Sequence, residues 1–155
     1  MEISKVIKTD CAHFPLDRPC PFHKSAGITC VAHCPHYKSV YRRSKDGVRK
    51  ILIIKLGAMG DVLRTTFLLE GLKEKYPDCR IVWLTKKESV PILDNNPHIS
   101  EVVISDDKTP AYLAENFFDE VVNLDLAPDS LAFATMAQSR KKTGFYLDGK
   151  RRIAA

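Results

Sequence analysis

The stretch KILIIKLGAMGDV, Lys50 to Val62, decides the fold. Lys50 to Leu56 is a nearly continuous β-branched and aliphatic run, the composition of a strand buried on both faces. It leads directly into Gly57, Ala58, Met59, Gly60 and Asp61, where a helical pattern begins. On that helix Val62, Thr66, Leu69, Leu72 and Tyr76 recur at three- and four-residue steps, flanked by Leu63 and Phe67, until Pro77 and Asp78 stop it. A buried strand, a small-residue turn and an amphipathic helix are the opening unit of a wound α/β sheet.

Working outward, the same alternation continues downstream. RIVWLT (Arg80 to Thr85) reads as a second strand, followed by a short helix through Leu93 that Asn95, Asn96 and Pro97 break. EVVI (Glu101 to Ile104) is a third strand, AYLAENF a short helical turn, and EVVNLDL (Glu120 to Leu126) a fourth strand. SLAFATMAQ (Ser130 to Gln138) is helical and TGFYL (Thr143 to Leu147) is a fifth strand. Strands alternating with helices predict a parallel sheet wound with right-handed crossovers, so residues 50–155 are expected to form one Rossmann-like α/β domain. Upstream, residues 41–49 (YRRSKDGVR) read as a basic linker, and residues 1–40 are rich in Cys, His and Pro with little apolar periodicity.

Composition narrows the function classes. A chain of 155 residues with 45% hydrophobic content can bury one core plus an appendage. No apolar run reaches the roughly 18 residues a membrane-spanning helix needs, and the start MEISKVIKTD is no secretory signal, so a cytoplasmic protein is expected. The net charge of +5 is uneven, with basic clusters at 38–50, 140–142 and 150–152. Such clusters suit solvated linkers and helix ends, or a phosphorylated or anionic partner. They are not interleaved with aromatic residues, so no nucleic acid partner is expected.

The cysteines are the sharper compositional signal. Cys11, Cys20, Cys30 and Cys34 are four of the five in the chain, with His13, His23, His33 and His36 around them. In a cytoplasmic protein this clustering favours a metal over disulfides. Four thiolates close a tetrahedral site, so a structural zinc knuckle is expected, with an iron–sulfur cluster as the second metal reading and free thiols or disulfides as the rest. His23 or His36 could replace one cysteine, and a segment without its own core would gain its folding energy from the metal. Cys79 is most simply a structural thiol.

In open parallel sheets ligands bind beyond the carboxyl ends of the strands, where strand order reverses. Here that end carries GAMGD, and Gly57 and Gly60 let the backbone turn sharply and a ligand come close. A Walker A loop is excluded because no GK[ST] is present. A nicotinamide cofactor is not expected either, since the turn is GxxG and the second strand ends in Thr85, Lys86 and Lys87 rather than an acid. Asp61 at this turn can serve as a general base or as an ordinary helix cap. Lys55 and Arg64 flank the same turn as phosphate or sugar-acid ligands or as surface charges. Asp125, ending the fourth strand, either bonds sugar hydroxyls or prepares the turn at Pro128.

The stretch ILIIKLGAMGDVLRTTFLLEGLKEKYPDCRIVWLT resembles the opening of the family 9 glycosyltransferases, the ADP-heptose:lipopolysaccharide heptosyltransferases. An aliphatic strand ending in Lys-Leu, a turn closing in Gly-Asp and a helix running to YP carry the match. NNPHISEVV and FFDEVVNLDL followed by KKTGF extend it to about two-thirds of the chain. The resemblance implies the N-terminal, acceptor-binding half of a two-domain GT-B fold, with Asp61 in the position of the family's catalytic base. It further implies a nucleotide-diphosphate sugar donor and a lipopolysaccharide-type glycolipid or other envelope glycan as acceptor, and the basic linker would suit peripheral contact with the cytoplasmic membrane face, where anionic lipid attracts Lys and Arg. The chain ends at GKRRIAA, where the family passes into a second domain that holds the donor. The expectation is therefore an acceptor half, inactive until a donor domain in the same or another chain completes it. The competing expectation is a non-catalytic, metal-stabilised Rossmann module that binds a glycan, protein or nucleic acid.

Overall fold

The computed structural model describes residues 11, 13, 20–27, 34–36, 47–148 and 151–154. The chain divides into two compact units, Met1–Arg42 and Arg43–Ala155. In the first, helix α1 spans Pro21–Ala26 and closes on Gly27, whose positive φ of 62° is the left-handed conformation that ends helices. Phe22 on this helix stacks on His36 at 4.0 Å between ring centroids and meets His13 edge-on at 5.0 Å.

The second unit is a six-stranded sheet in the order β3-β2-β1-β4-β5-β6. Strands β1 (Lys50–Ile54), β2 (Arg80–Thr85), β3 (Glu101–Ile104), β4 (Phe117–Asn123) and β5 (Gln138–Asp148) pair in parallel, and β6 (Arg151–Ala154) closes the edge antiparallel. Helices α2 (Met59–Thr65) and α3 (Leu68–Lys75) lead from β1 to β2, and α4 (Val90–Leu93) from β2 to β3. The chain then crosses through α5 (Thr109–Glu115) to β4, and α6 (Pro128–Met136) joins β4 to β5. Strand order therefore reverses between β1 and β4. The parallel Rossmann-like sheet expected from the alternating pattern is present.

The aliphatic run of β1 explains its central place, because both of its faces are covered. Ile51 and Ile53 pack with Val62, Leu69, Ile81, Trp83 and Leu93 on one side. Leu52 and Ile54 pack with Val82, Leu84, Leu113, Phe118 and Val121 on the other. All four β1 side chains are fully buried, each stabilising the fold by roughly 1.5–3 kcal/mol relative to exposure.

Several elements differ from the sequence reading. The single helix expected from Val62 to Tyr76 is two helices, interrupted at Thr66 and Phe67. Thr65 Oγ1 donates to the carbonyls of Asp61 (3.0 Å) and Val62 (2.8 Å), and Thr66 Oγ1 donates to Leu63 O at 2.7 Å. Two adjacent threonines thus engage carbonyls of the preceding turn, a pattern that weakens and bends a helix. Strand β4 starts and ends three residues earlier than expected, and α6 two residues earlier, with Pro128 as its first residue.

Strand β5 begins at Gln138 instead of Thr143, so Arg140, Lys141 and Lys142 lie within the sheet. Pairing with β4, including Glu120 opposite Lys141, overrides the poor strand propensity of this charged run. Strand β6 was not expected at all from the sequence. Among the described residues no helix is long and apolar enough to cross a membrane.

Candidate functional site

At the carboxyl edge of the sheet, the segments after β1, β2 and β4 enclose an open cavity of about 370 Å³. Gly57 and Met59 line it from the first, Lys86 and Ser89 from the second, and Asp125 and Asp129 from the third. It lies at the reversal of strand order, where parallel α/β sheets place their ligands.

The wall of this crevice is held by one buried carboxylate. Asp125 Oδ1 accepts from Lys55 Nζ at 2.5 Å, and Oδ2 accepts from the backbone N–H groups of Leu56 and, at 3.0 Å, Gly57. Lys55 Nζ also donates to Leu124 O at 3.3 Å, and both side chains of the pair are about 10% exposed. Lys55 is therefore not a surface charge, and the acceptor capacity of Asp125 is largely taken up in fastening the first turn to the end of β4.

Asn123 braces this arrangement. Its Oδ1 accepts from Asp125 N at 3.0 Å while its Nδ2 donates to Asp125 O (3.0 Å) and Phe145 O (2.7 Å). Thr85 Oγ1 donates to Lys55 O at 2.9 Å, tying β2 into the same knot. Sequence reading missed Asn123, Thr85, Lys86 and Ser89. The signal for Asn123 was there, as one amide inside the apolar run VVNLDL.

Neither Gly57 nor Gly60 has a positive φ. A Cβ at Gly57 would stand 3.3 Å from both Lys55 Nζ and Asp125 Oδ1, so Gly57 makes room for the ion pair. A Cβ at Gly60 would meet nothing within 4 Å. Near the crevice it is Gly144 in β5 that requires glycine, with φ of 87° and a hypothetical Cβ only 2.0 Å from Asn123 O.

Asp61 is the third residue of α2, and α2 has no side-chain cap bond, so Asp61 does not act as its cap. Its Oδ1 accepts from Arg64 Nη2. Its Oδ2 lies 3.6 Å from the position of a Gly57 Cβ, on the turn that lines the cavity, although Asp61 itself does not line it. The hydrogen bond and the charge of Arg64 hold the Asp61 carboxyl below the usual carboxylate range. Asp61, Lys55 and Asp125 thus gather around Gly57, and Arg64 joins through Asp61.

The four-thiolate centre is not assembled among the described residues. Cys11, Cys20 and Cys34 are half-buried free cysteines, and no three His, Cys, Asp or Glu side chains among the described residues converge to hold a metal. Cys30, the remaining expected ligand, lies outside the described residues. Cys79 is buried at the start of β2 in the apolar cluster, and burial pushes its thiol up, as suits a structural thiol.

A parallel sheet that reverses between β1 and β4, with a polar crevice at that point, defines a Rossmann-like domain. Its particular likeness is to the family 9 glycosyltransferases, the heptosyltransferases among them. A solved family 9 glycosyl transferase from Veillonella parvula superposes with a TM-score of 0.55 at 23% identity, over 63% of this chain and 32% of that one. An Escherichia coli heptosyltransferase solved with ADP gives a TM-score of 0.55 at 20% identity, over 61% and 34%. In sequence, the chain is 35% identical over 78 residues to lipopolysaccharide heptosyltransferase 3 of Escherichia coli, covering 42% of this chain and 23% of that protein. A second such enzyme, from strain K12, is 44% identical over 41 residues, 26% of this chain and 12% of the enzyme. The matched segments thus span a quarter or less of these curated relatives. No family model matches the chain.

Proposed function

We propose that residues 50–155 form the acceptor-binding half of an inverting glycosyltransferase of the heptosyltransferase kind, with Asp61 as its general base. The observation that carries this reading is a carboxylate oxygen of Asp61 turned toward Gly57, at the rim of the crevice where β1 and β4 part. In this mechanism an acceptor hydroxyl attacks the anomeric carbon of a nucleotide-diphosphate sugar. The new C–O bond forms as the bond to the diphosphate breaks, the diphosphate leaves with the electron pair, and the hydroxyl proton passes to Asp61. Attack opposite the leaving group inverts the anomeric centre. The ion pair of Lys55 with Asp125 keeps the crevice wall in place, leaving Lys86, Glu88, Ser89 and Asp129 as the polar side chains that meet the acceptor.

The donor belongs to a second α/β domain, in the same or another chain, and the acceptor is a lipopolysaccharide-type glycolipid or other envelope glycan at the cytoplasmic membrane face. Support comes from the names of the matched enzymes and from related heptosyltransferase structures holding ADP or ADP-2-deoxy-2-fluoro heptose. In the full-length protein completed by its donor domain, Asp61→Asn is expected to lower sugar transfer about 10²–10⁴-fold while acceptor binding persists. Undiminished transfer by that variant refutes the base role. Glycan binding without transfer by the unmodified protein would favour the non-catalytic module.

For the cysteine segment we propose a structural zinc held by Cys11, Cys20, Cys30 and Cys34. The grouping of these thiols in a segment of low apolar periodicity supports it. Native mass spectrometry should find one zinc ion per chain, lost in Cys20→Ser; metal-free protein with unchanged folding rejects the site.

A further inference from the structure

Arg64 occupies an unusual position relative to the proposed base. It lies one turn beyond Asp61 on α2, and its Nη2 donates to only one of the two carboxylate oxygens. The other oxygen faces Gly57. The Arg64 side chain is 81% exposed, so most of its guanidinium edge remains open to solvent. Exposed ion pairs of this kind are easily exchanged, and a guanidinium offers five donors in a fork suited to two anionic oxygens at once.

Other charges around Asp61 are differently engaged or more remote. Lys55, at the end of β1, is buried and bonded to Asp125. The 3₁₀ segment Lys87–Ser89 packs against α2 and carries exposed Lys87 and Glu88, with Lys86 just before it, while α4, also packed on α2, has no charged residue. Among the described residues Arg64 is the cation bonded to Asp61. Releasing it costs the helix no cap, because α2 has none from a side chain.

We propose that Arg64 is a positioning residue that masks Asp61 in the free protein and unmasks it when an anionic group of the bound acceptor draws the guanidinium away. The inference rests on the reading of Asp61 as base. Its consequence is that the site matches chemistry to occupancy. Without a phosphate or carboxylate beside Arg64 the Asp61 carboxylate is a weak proton acceptor, and with one it becomes a stronger acceptor in time for attack. Linkage then makes the coupling reciprocal, so an anion at Arg64 and a proton on Asp61 favour one another.

The test follows the Asp61 side-chain ¹³C carboxyl signal against pH in the full chain, with inorganic phosphate or with chloride at matched ionic strength. Phosphate should move the titration midpoint upward and chloride should not. Arg64→Gln should place the midpoint high without phosphate and make it indifferent to phosphate, whereas Arg64→Lys should keep a reduced response. In a parallel binding measurement, Asp61→Asn should hold phosphate more tightly than the unmodified chain, because the competing carboxylate is gone. A midpoint unmoved by phosphate, or moved equally in Arg64→Gln, overturns the proposal, and so does unchanged phosphate affinity in Asp61→Asn. These readouts need no sugar transfer. If they succeed while Asp61→Asn retains full transfer activity, the coupling stands and the assignment of Asp61 as base fails.

Discussion

The sheet carries a carboxylate knot at Asp125, just beyond the carboxyl end of β4, and another at Glu120 within the strand, and the two are built on different principles. Asp125 is enclosed with Lys55 and fastened by two backbone N–H groups. Glu120 is also buried, but it accepts from Lys141 Nζ and Thr143 Oγ1, each at 2.8 Å, and lies 3.7 Å from Arg49, with Lys141 63% and Arg49 38% exposed. Neighbouring Asp119 accepts from Lys50 N at 2.9 Å and lies 3.6 Å from Arg140. An enclosed pair fixed by main-chain donors sets a shape that solvent hardly touches. A carboxylate paired with exposed cations is reached by salt and protons. The crevice is framed by the first kind and the cross-strand pairing of β4 with β5 by the second.

The largest effect should come from breaking the enclosed knot. Asp125→Ala leaves a buried lysine without its counter-charge, with the Leu124 carbonyl as its remaining partner, and two N–H groups unpartnered, and should cost about 3–5 kcal/mol in urea unfolding. A loss below about 1 kcal/mol would mean that water reaches the pair as it reaches an exposed one. Next comes Gly144→Ala, which forces both a strained φ and a collision with Asn123 O. It should destabilise by about 2–4 kcal/mol and disturb the Asp125 side-chain signals through Asn123.

Glu120→Gln should cost about 1–2 kcal/mol at neutral pH, and that cost should depend on acid. Burial pushes the Glu120 carboxyl up, but hydrogen bonds from Lys141 and Thr143 and the charges of Lys141 and Arg49 outweigh it, so the net shift is below the ordinary 4.5. A depressed folded value means the stabilisation is complete above the unfolded value and is lost as pH falls below it. The difference between Glu120→Gln and the unmodified chain should therefore shrink below pH 4.5; a constant difference down to low pH contradicts the assignment. Smaller again is Lys141→Ala, below about 1 kcal/mol and diminished further by salt. Arg64→Ala should leave the unfolding midpoint where it is, since its role concerns Asp61 and not the fold.

Legibility followed the strength of local pattern. Lys50–Leu56 announced a doubly buried strand because four aliphatic residues in a row, Ile51 to Ile54, fit little else, and the succession of β1 to β5 followed from alternation. The break at Thr66–Phe67 was less visible, as threonine is tolerated in helices and only its hydroxyl geometry decides the outcome. The charged start of β5 reads as solvent-facing until Glu120 is placed opposite it. At the site the sequence singles out Asp61, Lys55 and Asp125 but not their division of labour. Lys55 and Asp125 stand 70 positions apart in sequence, and no local rule pairs them.

By itself, then, the sequence determined the parallel α/β architecture, the place of GAMGD at the carboxyl edge of its first strand and the likeness to heptosyltransferases, because strand and helix periodicities and a glycine-containing turn are local properties of the chain. Only the tertiary structure decided that Lys55 is spent on Asp125, that Gly57 serves that pair, that Gly144 cannot carry a Cβ beside Asn123 O, and that Asp61 is held by Arg64. Those outcomes depend on which segments the sheet brings within hydrogen-bond reach, and on how much water remains there to compete.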